Sequence, residues 1–472
     1  MSARISRTLI FVAMLLCSRV LAEWNVATEF RIVRVPVRAG VEIVEQFSEE
    51  RTTPDAMNTL ARLLQKGEAT VVTEVFGKGV SGVLQTIEHI EEHRYPTEFE
   101  APNPQFAPQA TSGLAIPAVR TVMDVRNTGT ALQYEMEVAA DGLILSGRVA
   151  CVHVRHLGDL RYEYGVRADG LKYYVEQPNF LVLRSSADVV MKSGLPHLTG
   201  SFVAADVPGQ MELQIVTMKT AQIGVSASSE GGNEVKQSSR MDVRRYRLTV
   251  EDGTRARIAI TREKRDPSEV LNAMMRDSKA TLSLCASLPS VPNQQNVQEN
   301  IIEFRYPTEF EPPGRVLALM DTATRQRELR IATARVRKII SGFHGPPQPY
   351  SSPFNLPAVP QTTFEVRNTG STIQSESGSV GEKDASVMLN LSMHEVGWSG
   401  FTRRLKAVEP QGERVYDYQP KSATQKTTEN RALPVGKWVL QAFHKRPAPF
   451  NDVEITIVRI KTNHVQFTHQ KP

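Results

Sequence analysis

The sequence predicts an α+β fold that is mainly β and consists of two tandem homologous domains, each a small α/β entry unit followed by antiparallel β-strands. Three observations support this prediction. The phrase Arg-Tyr-Pro-Thr-Glu-Phe-Glu occurs twice, at 94–100 and at 305–311. Shorter matching segments follow each copy in the same order, which indicates an internal duplication. Most remaining segments are short β-rich runs separated by turn residues, and helical spacing is confined to a few stretches.

The chain begins with a segment typical of a secretory signal. Residues 1–22 contain a basic start at Arg4 and Arg7, an apolar run at 9–16 and the small-residue site Val20-Leu21-Ala22. We predict cleavage after Ala22, with an uncleaved anchor as the alternative. Cleavage removes three arginines and no acidic residue, which leaves 53 basic against 51 acidic residues in the mature chain. This near balance argues against a nucleic-acid partner.

Two cysteines remain after cleavage, Cys151 and Cys285. In an oxidising compartment they could form a disulfide. Two buried free thiols fit the sequence equally well, because the duplicated positions do not carry a second pair. Both alternatives stay open at this point.

The entry unit of the first domain reads as strand, helix, strand, strand. Alternation predicts a strand at 28–35, and Thr53 with Pro54 predicts the start of a helix that Gly67 ends. A strand at 69–76, a turn at the glycines 77, 79 and 82, and a strand at 83–94 then lead into the phrase. The phrase is predicted to form a structural corner at the end of that strand.

The rest of the first domain is predicted to be all β. After a proline-rich loop at 101–112, the motif Arg126-Asn127-Thr128-Gly129 favours a turn, since Asn and Gly tolerate turn conformations. The predicted strands are 143–153, 160–166, 171–175, 180–190 and 211–219, with Asp-Gly, Gln-Pro and Ser-Gly breaks between them. Ala168-Asp169-Gly170 predicts a hairpin turn.

The second domain repeats this order after a polar linker at 223–240. Its predicted elements are strands at 243–250 and 256–262, a helix from Asp266-Pro267, and a strand at 280–284. Tyr95 and Tyr306 are 211 positions apart, and later matches lie 240 to 242 apart. The predicted division is a signal at 1–22, domains at 23–222 and 241–464, and a tail at 465–472.

The growing offset places an insertion at about 313–354 in the second domain. Within it, residues 325–338 have apolar residues at helical spacing beside several arginines. This pattern fits a basic helix on a membrane or partner, or a helix packed on its own domain with a solvated basic face.

No catalytic, cofactor or metal site is predicted. His89-Ile90-Glu91-Glu92-His93 fits an H-x-x-E-H zinc pattern, but the second copy lacks both histidines, and residues four apart on a strand are about 13 Å apart. His153 and His156 are expected at a surface or edge. Glu98 and Glu309 are interpreted as structural.

The residues assigned to the duplicated structural signature come from the phrase and from the Arg-Asn-Thr-Gly motif of each copy. They are Tyr95, Pro96, Thr97, Glu98, Phe99, Arg126, Asn127 and Gly129, with Tyr306, Pro307, Thr308, Glu309, Phe310, Arg367, Asn368 and Gly370.

The order of these motifs resembles the C-terminal domain of the bacterial secretins, especially divergent planctomycete-like and verrucomicrobium-like forms. In the first copy it comprises the phrase, the Arg-Asn-x-Gly motif with Leu132, Asp141-Gly142, Gln177-Pro178, and Ser193-Gly194 before Leu198 and Gly200. Secretins are outer-membrane channels of type II and type III secretion systems and type IV pili. The sequence shows no Val-Pro-x-Leu-Gly-x-Ile-Pro-like signature, which secretins carry near the gate, and no obvious separate amino-terminal ring-building domains.

The resemblance implies an exported, self-associating protein of the outer membrane or periplasm. We therefore expect a non-catalytic, secretin-like component of a secretion or type IV pilus type system, without cofactors, that binds copies of itself or other envelope proteins. The alternative is a soluble periplasmic binding or scaffold protein that kept the fold without a pore. A hydrolase with a β core is a third class, for which no motif is present.

Overall fold

A computed structural model describes residues 23–100, 119–166, 172–223, 231–311, 361–378, 386–408, 414–446 and 452–470. Antiparallel sheets with a few helices make up these residues, which confirms the α+β, mainly β class. The predicted hairpin turn at 168–170 and the basic segment at 325–338 lie outside the described residues. Among the described residues, no helix is both long and apolar enough to cross a membrane.

The first four-stranded sheet, here the N-terminal sheet, has the order β2-β1-β8-β7. Its strands are β1 (Glu23–Pro36), β2 (Thr70–Val80), β7 (His197–Val203) and β8 (Gln210–Ile223). Helices α1 (Val37–Phe47) and α2 (Thr53–Gln65) connect β1 to β2. The sequence predicted α2 correctly, with Pro54 in its first turn and Gly67 in a left-handed conformation just beyond its end.

The second four-stranded sheet, the C-terminal sheet, has the order β10-β9-β16-β15 and so repeats the order of the first. Its strands are β9 (Gly231–Thr249), β10 (Ala280–Ser290), β15 (Val439–Lys445) and β16 (Asp452–Gln470), and helices α3 (Val250–Thr261) and α4 (Pro267–Arg276) connect β9 to β10. A matching order is what a duplication leaves behind, although the duplication itself stays a prediction from sequence.

Three expectations for this region are wrong. Residues 256–261 belong to α3 and not to a strand, because Thr249 caps the helix by accepting a hydrogen bond from the Asp252 amide. Residues 231–240 of the predicted linker form the start of β9. They pair along β16, which extends to Gln470 and includes most of the predicted tail.

Eight long strands form the third sheet, here the long-strand sheet. The first meander is β3 (Gln85–Glu100), β4 (Val119–Val138), β5 (Ile144–Val166) and β6 (Lys172–Lys192). The second meander is β11 (Gln295–Glu311), β12 (Gln361–Ser377), β13 (Ser386–Val408) and β14 (Arg414–Pro434). Antiparallel ladders join consecutive strands within each meander, and β6 pairs with β11 to join the two.

These strands run through several predicted breaks. β5 is continuous from 144 to 166, and Gln177-Pro178 lies inside β6. Gly77 and Gly79, expected in a turn, lie inside β2. The Asp-Gly and Ser-Gly breaks are present, with Gly142 and Gly194 in left-handed conformations between strands.

Each four-stranded sheet packs one face on its own meander. Phe30 and Val216 of the N-terminal sheet pack with Leu132 and Tyr134 of β4, and Val243 and Val458 of the C-terminal sheet form a matching core with the second meander. The opposite faces and helices α1 to α4 contribute to one shared core, which includes Ile43, Leu213, Tyr246, Leu271 and Ile457. The two halves are therefore fused through a common interior.

An ionic cluster with buried arginines and a partly exposed glutamate borders this shared core. Arg244 of β9 and Arg459 of β16 both contact the Glu45 carboxylate of α1, and Arg459 also pairs with Asp242. The two guanidinium groups lie over the Trp438 ring, at 4.6 and 4.4 Å from its centroid. Burial opposes ionisation of Asp242, but the adjacent Arg459 charge lowers its pKa overall. The cluster thus ties α1 of one half to two strands of the other.

Cys151 and Cys285 are free thiols in the structure, and both are buried. Burial raises the pKa of Cys285 to about 11, so this thiol stays protonated at neutral pH. Cys151 belongs to the core under the first meander and Cys285 to the core shared by the two halves.

Each four-stranded sheet buries one glutamate against an arginine on the neighbouring strand. Glu212 of β8 accepts hydrogen bonds from Arg34 at 2.6 and 2.9 Å and from Arg155 at 2.5 Å. Glu454 of β16 accepts one from Arg247 at 2.8 Å. Both carboxylates are fully buried, so each depends on its arginine for charge compensation.

We predict that Glu212→Ala destabilises the protein by about 3 kcal/mol, because it removes a fully buried carboxylate and leaves the partly buried Arg34 and Arg155 with only Asp206 as a shared partner. Chemical denaturation followed by circular dichroism measures the effect. Glu74→Ala is the matched control, because Glu74 pairs with Arg31 at the surface and should cost at most about 1 kcal/mol. Equal losses from the two changes would contradict this account.

Candidate functional site at the repeated phrase

Both copies of the phrase lie near the end of a long strand, in β3 and in β11, and neither reverses the chain direction. The strands continue to Glu100 and Glu311, so the predicted corner is wrong. Each copy instead contains a bulge, where the register shifts between Pro96 and Glu98 and between Pro307 and Glu309. Proline has no amide hydrogen for the ladder, which explains the bulge at this position.

The phrase tyrosines are buried, while their hydroxyl groups meet carboxylates on the neighbouring strand. The Tyr95 hydroxyl donates to Asp124 at 3.1 Å, and the Tyr306 hydroxyl donates to Glu365 at 2.8 Å. Burial is the main cause that raises the pKa of both tyrosines. Thr97 is partly buried and Glu98 is exposed, and the side chains of Phe99, Thr308, Glu309 and Phe310 are outside the described set.

The two copies of the phrase contact each other through Arg305. Its guanidinium donates to the Tyr95 hydroxyl at 2.6 Å and to Asp124 at 2.9 Å, and it stacks over the Tyr95 ring. The Arg305 carbonyl accepts a hydrogen bond from Tyr162 at 2.5 Å. The equivalent Arg94 of the first copy pairs instead with Glu92 at the surface. The two phrases therefore differ in their contacts despite their identical sequences.

The Arg-Asn-Thr-Gly motifs lie inside strands β4 and β12, so the predicted turn is wrong. Gly129 and Gly370 have positive φ values of 106° and 118°. A Cβ atom at either position would lie about 2 Å from a carbonyl oxygen of the paired strand, so glycine is required there. β4 pairs with β5 only from Gly129 to Val138 and not along its first half. In the same way, β12 pairs with β13 only from Gly370 onward.

Other motif residues have different surroundings. Arg126 donates to Glu303 of the second meander at 2.9 Å, and Arg367 donates to Ser422 at 3.3 Å. Asn127 and Asn368 are exposed. Short two-residue ladders between β3 and β12 and between β5 and β14 also link the meanders near the phrase.

Each meander has a cluster of three side chains next to its phrase, and most of these side chains are aromatic or imidazole rings. In the second, Phe304, Trp398 and Phe401 have centroids 5.3 to 5.9 Å apart. Counting from the matched segments, the equivalent residues of the first meander are His93, His156 and Asp159. The His93 and His156 rings are 4.5 Å apart, and Nε2 of His156 is 3.0 Å from Oδ1 of Asp159.

These three residues form a set that could hold a metal ion, with ligand atoms all within 4.8 Å of one another. Sequence reasoning missed the set. The H-x-x-E-H pattern supplied His93, but His89 and Glu92 are exposed and are not part of the cluster. The signal that could have indicated the set is the offset between the two copies, which aligns His156 and Asp159 with Trp398 and Phe401.

His153, expected at a surface or edge, is buried. Its Nδ1 atom is 2.8 Å from the Thr130 hydroxyl, next to Gly129. Burial, followed by the charges of Arg155 and Arg34, lowers the pKa of His153 from 6.5 to about 4. The imidazole is therefore neutral at physiological pH.

Comparison of the chain with protein-family models, with curated proteins and with solved structures finds no match in any of the three.

The lowered pKa of His153 predicts a loss of stability in mild acid. The unfolded chain takes up a proton near pH 6.5, whereas the folded chain does so only near pH 4. The contribution of neutral His153 to the free energy of unfolding is complete above pH 6.5. It falls by about 3 kcal/mol in total as the pH drops to 4. Chemical denaturation at several pH values should give a shallower acid slope for His153→Gln. A wild-type acid slope in His153→Gln would contradict the assignment.

Proposed function

We propose that the protein is an exported, non-catalytic component of the cell envelope that associates edge to edge with further copies of itself. We further propose that it serves as a secretin-like part of a secretion or type IV pilus type system. The observation that carries the proposal is the ladder between β6 and β11. There the last strand of the first meander pairs with the first strand of the second meander. The structure of one chain therefore already includes one contact between meanders.

The ladder consists of eight residue pairs, from Val297 with Ser186 to Phe304 with Asn179. Glu299 and Arg184 face each other within it, with 3.4 Å between their charged atoms. Opposite charges on facing positions stabilise a strand pair and oppose other registers. The ladder therefore combines main-chain hydrogen bonds with a charge pair that helps to select the register.

The equivalent edges at the two ends of the long-strand sheet are largely unpaired. In the described part of the chain, the outer edge of β3 pairs with another strand only at Glu98 and Phe99, and that of β14 only at Arg414 and Val415. An unpaired edge is a template for another strand. Because β3 is equivalent to β11 and β14 to β6, β14 of one copy can pair with β3 of the next. Such head-to-tail contacts generate rings or filaments.

The side chains on these edges preserve the charge pattern of the internal ladder. Counting from the matched segments, Glu88 is the equivalent of Glu299, and Lys426 is the equivalent of Arg184. Both Glu88 and Lys426 are exposed. The same register therefore places a carboxylate of β3 opposite an ammonium group of β14 in the next copy.

Export and the place in the envelope are supported by the signal-like segment at 1–22, and the type of system by the resemblance of the motif order to secretins. The long antiparallel strands and the repeated edges suit a structural role. A soluble periplasmic scaffold with the same fold is the alternative.

We predict that Glu88→Lys or Lys426→Glu alone weakens self-association of the mature chain, because each places like charges on facing positions. The double variant should restore association. An equimolar mixture of the two single variants should also regain association, because alternating copies place opposite charges on facing positions at every β14–β3 contact. Analytical ultracentrifugation in buffer and in detergent measures the size distribution.

Glu74→Lys and Lys445→Glu provide charge-matched controls outside the two edges, and both should leave association unchanged. A wild-type chain that stays monomeric in buffer and in detergent would contradict the proposal and favour the soluble scaffold. Failure of the double variant to restore association would contradict the predicted register.

A further inference from the structure

We propose that His93, His156 and Asp159 form a binding site for a divalent first-row transition ion, with two imidazole nitrogens and one carboxylate oxygen as ligands. This inference does not depend on self-association. It rests on the backbone that brings the three side chains together, on their mutual distances and on the contrast with the second meander.

A bulge in β5 places His156 and Asp159 on one face. Residues three apart on a regular strand point to opposite faces. Here the register shifts between His156 and Gly158, so that His156 faces Phe180 and Asp159 faces Pro178 on β6. Phe180 and Pro178 are two residues apart and share a face, so His156 and Asp159 do as well. Gly158, with φ at 101°, permits this bulge.

His93 reaches the same place from a different strand. It lies on β3, and within the described residues no ladder joins β3 to β5. The His93 ring contacts those of His156 and Phe180, with centroids 4.5 and 5.6 Å away. A bound ion would thus link two strands that are not hydrogen-bonded to each other.

The distances suit a metal ion after small side-chain movements. In a tetrahedral zinc site, ligand atoms are roughly 3.3 Å apart. His156 and Asp159 are already 3.0 Å apart, and the full set lies within 4.8 Å. His93 is partly buried and the other two residues are exposed, so an ion and a water ligand can enter. Three protein ligands leave a further coordination position for water or another donor.

The ligand types favour a particular class of ion. Imidazole nitrogens bind zinc, cobalt, nickel and copper well, whereas magnesium and calcium prefer oxygen ligands. The equivalent positions of the second meander carry Phe304, Trp398 and Phe401, which pack against one another. The same backbone thus carries an aromatic cluster in one meander and a ligand set in the other.

The test uses the full mature chain and Zn²⁺ as the probe, titrated by calorimetry with chelator competition. We expect one ion per chain and a rise in melting temperature on addition of Zn²⁺. Each of His93→Ala, His156→Ala and Asp159→Asn should weaken binding by at least about tenfold, since even residues that only orient metal ligands contribute about 10-fold to 100-fold. His89→Ala, four residues from His93 on the same strand, is the control and should bind like wild type.

A triple variant separates loss of ion binding from loss of folding. His93→Phe, His156→Trp and Asp159→Phe together install the residues that the second meander uses at the same positions. It should keep the fold, lose the bound ion and lose the zinc-dependent rise in melting temperature. The absorption spectrum of bound Co²⁺ should likewise be present in wild type and His89→Ala and absent from the triple variant. Equal Zn²⁺ binding by the triple variant, or no binding by wild type, would overturn the proposal.

Discussion

The ladder between β6 and β11 is the interaction on which the arrangement of the long-strand sheet depends. Its eight residue pairs form the longest ladder between the two meanders, each of which packs on its own four-stranded sheet, and two-residue ladders between β3 and β12 and between β5 and β14 add to it. With them, the strands follow one another in a single antiparallel series from β3 to β14. The Glu299–Arg184 pair lies on this ladder, so its register is specified by charge as well as by main-chain hydrogen bonds.

The two halves share a strand order in their four-stranded sheets and differ in the side chains next to their phrases. The N-terminal and C-terminal sheets share their strand order, and each buries a glutamate against a cross-strand arginine. The shared core and the Glu45 cluster then make the halves depend on each other. Next to the phrases, the side-chain contacts of the two halves differ. Arg305 bridges the two phrases, while Arg94 remains at the surface.

Local signals in the sequence predicted the β-rich class and the elements with strong end signals, such as α2 with Pro54 and Gly67. They failed where tertiary structure decides. Gly129 suggested a turn, but it lies inside β4, and its positive φ occurs at the residue where β4 separates from β5. Residues 256–261 alternate like a strand, yet the cap at Thr249 and the shared core make them helical. The His93 cluster depends on a bulge at Gly158, which spacing along the chain does not reveal.

The most direct test of edge-to-edge association is a disulfide between copies in the predicted register. Ile90 and Thr424, both exposed, are equivalent to Ile301 and Val182, which face each other in the internal ladder. A mixture of Ile90→Cys and Thr424→Cys chains, oxidised mildly and resolved by non-reducing electrophoresis with mass spectrometry, should yield a heterodimer linked through the two introduced cysteines. Thr428→Cys in place of Thr424→Cys moves the thiol about 13 Å along the strand and should give little product. Absence of the heterodimer, or equal yields from the two mixtures, would contradict the account.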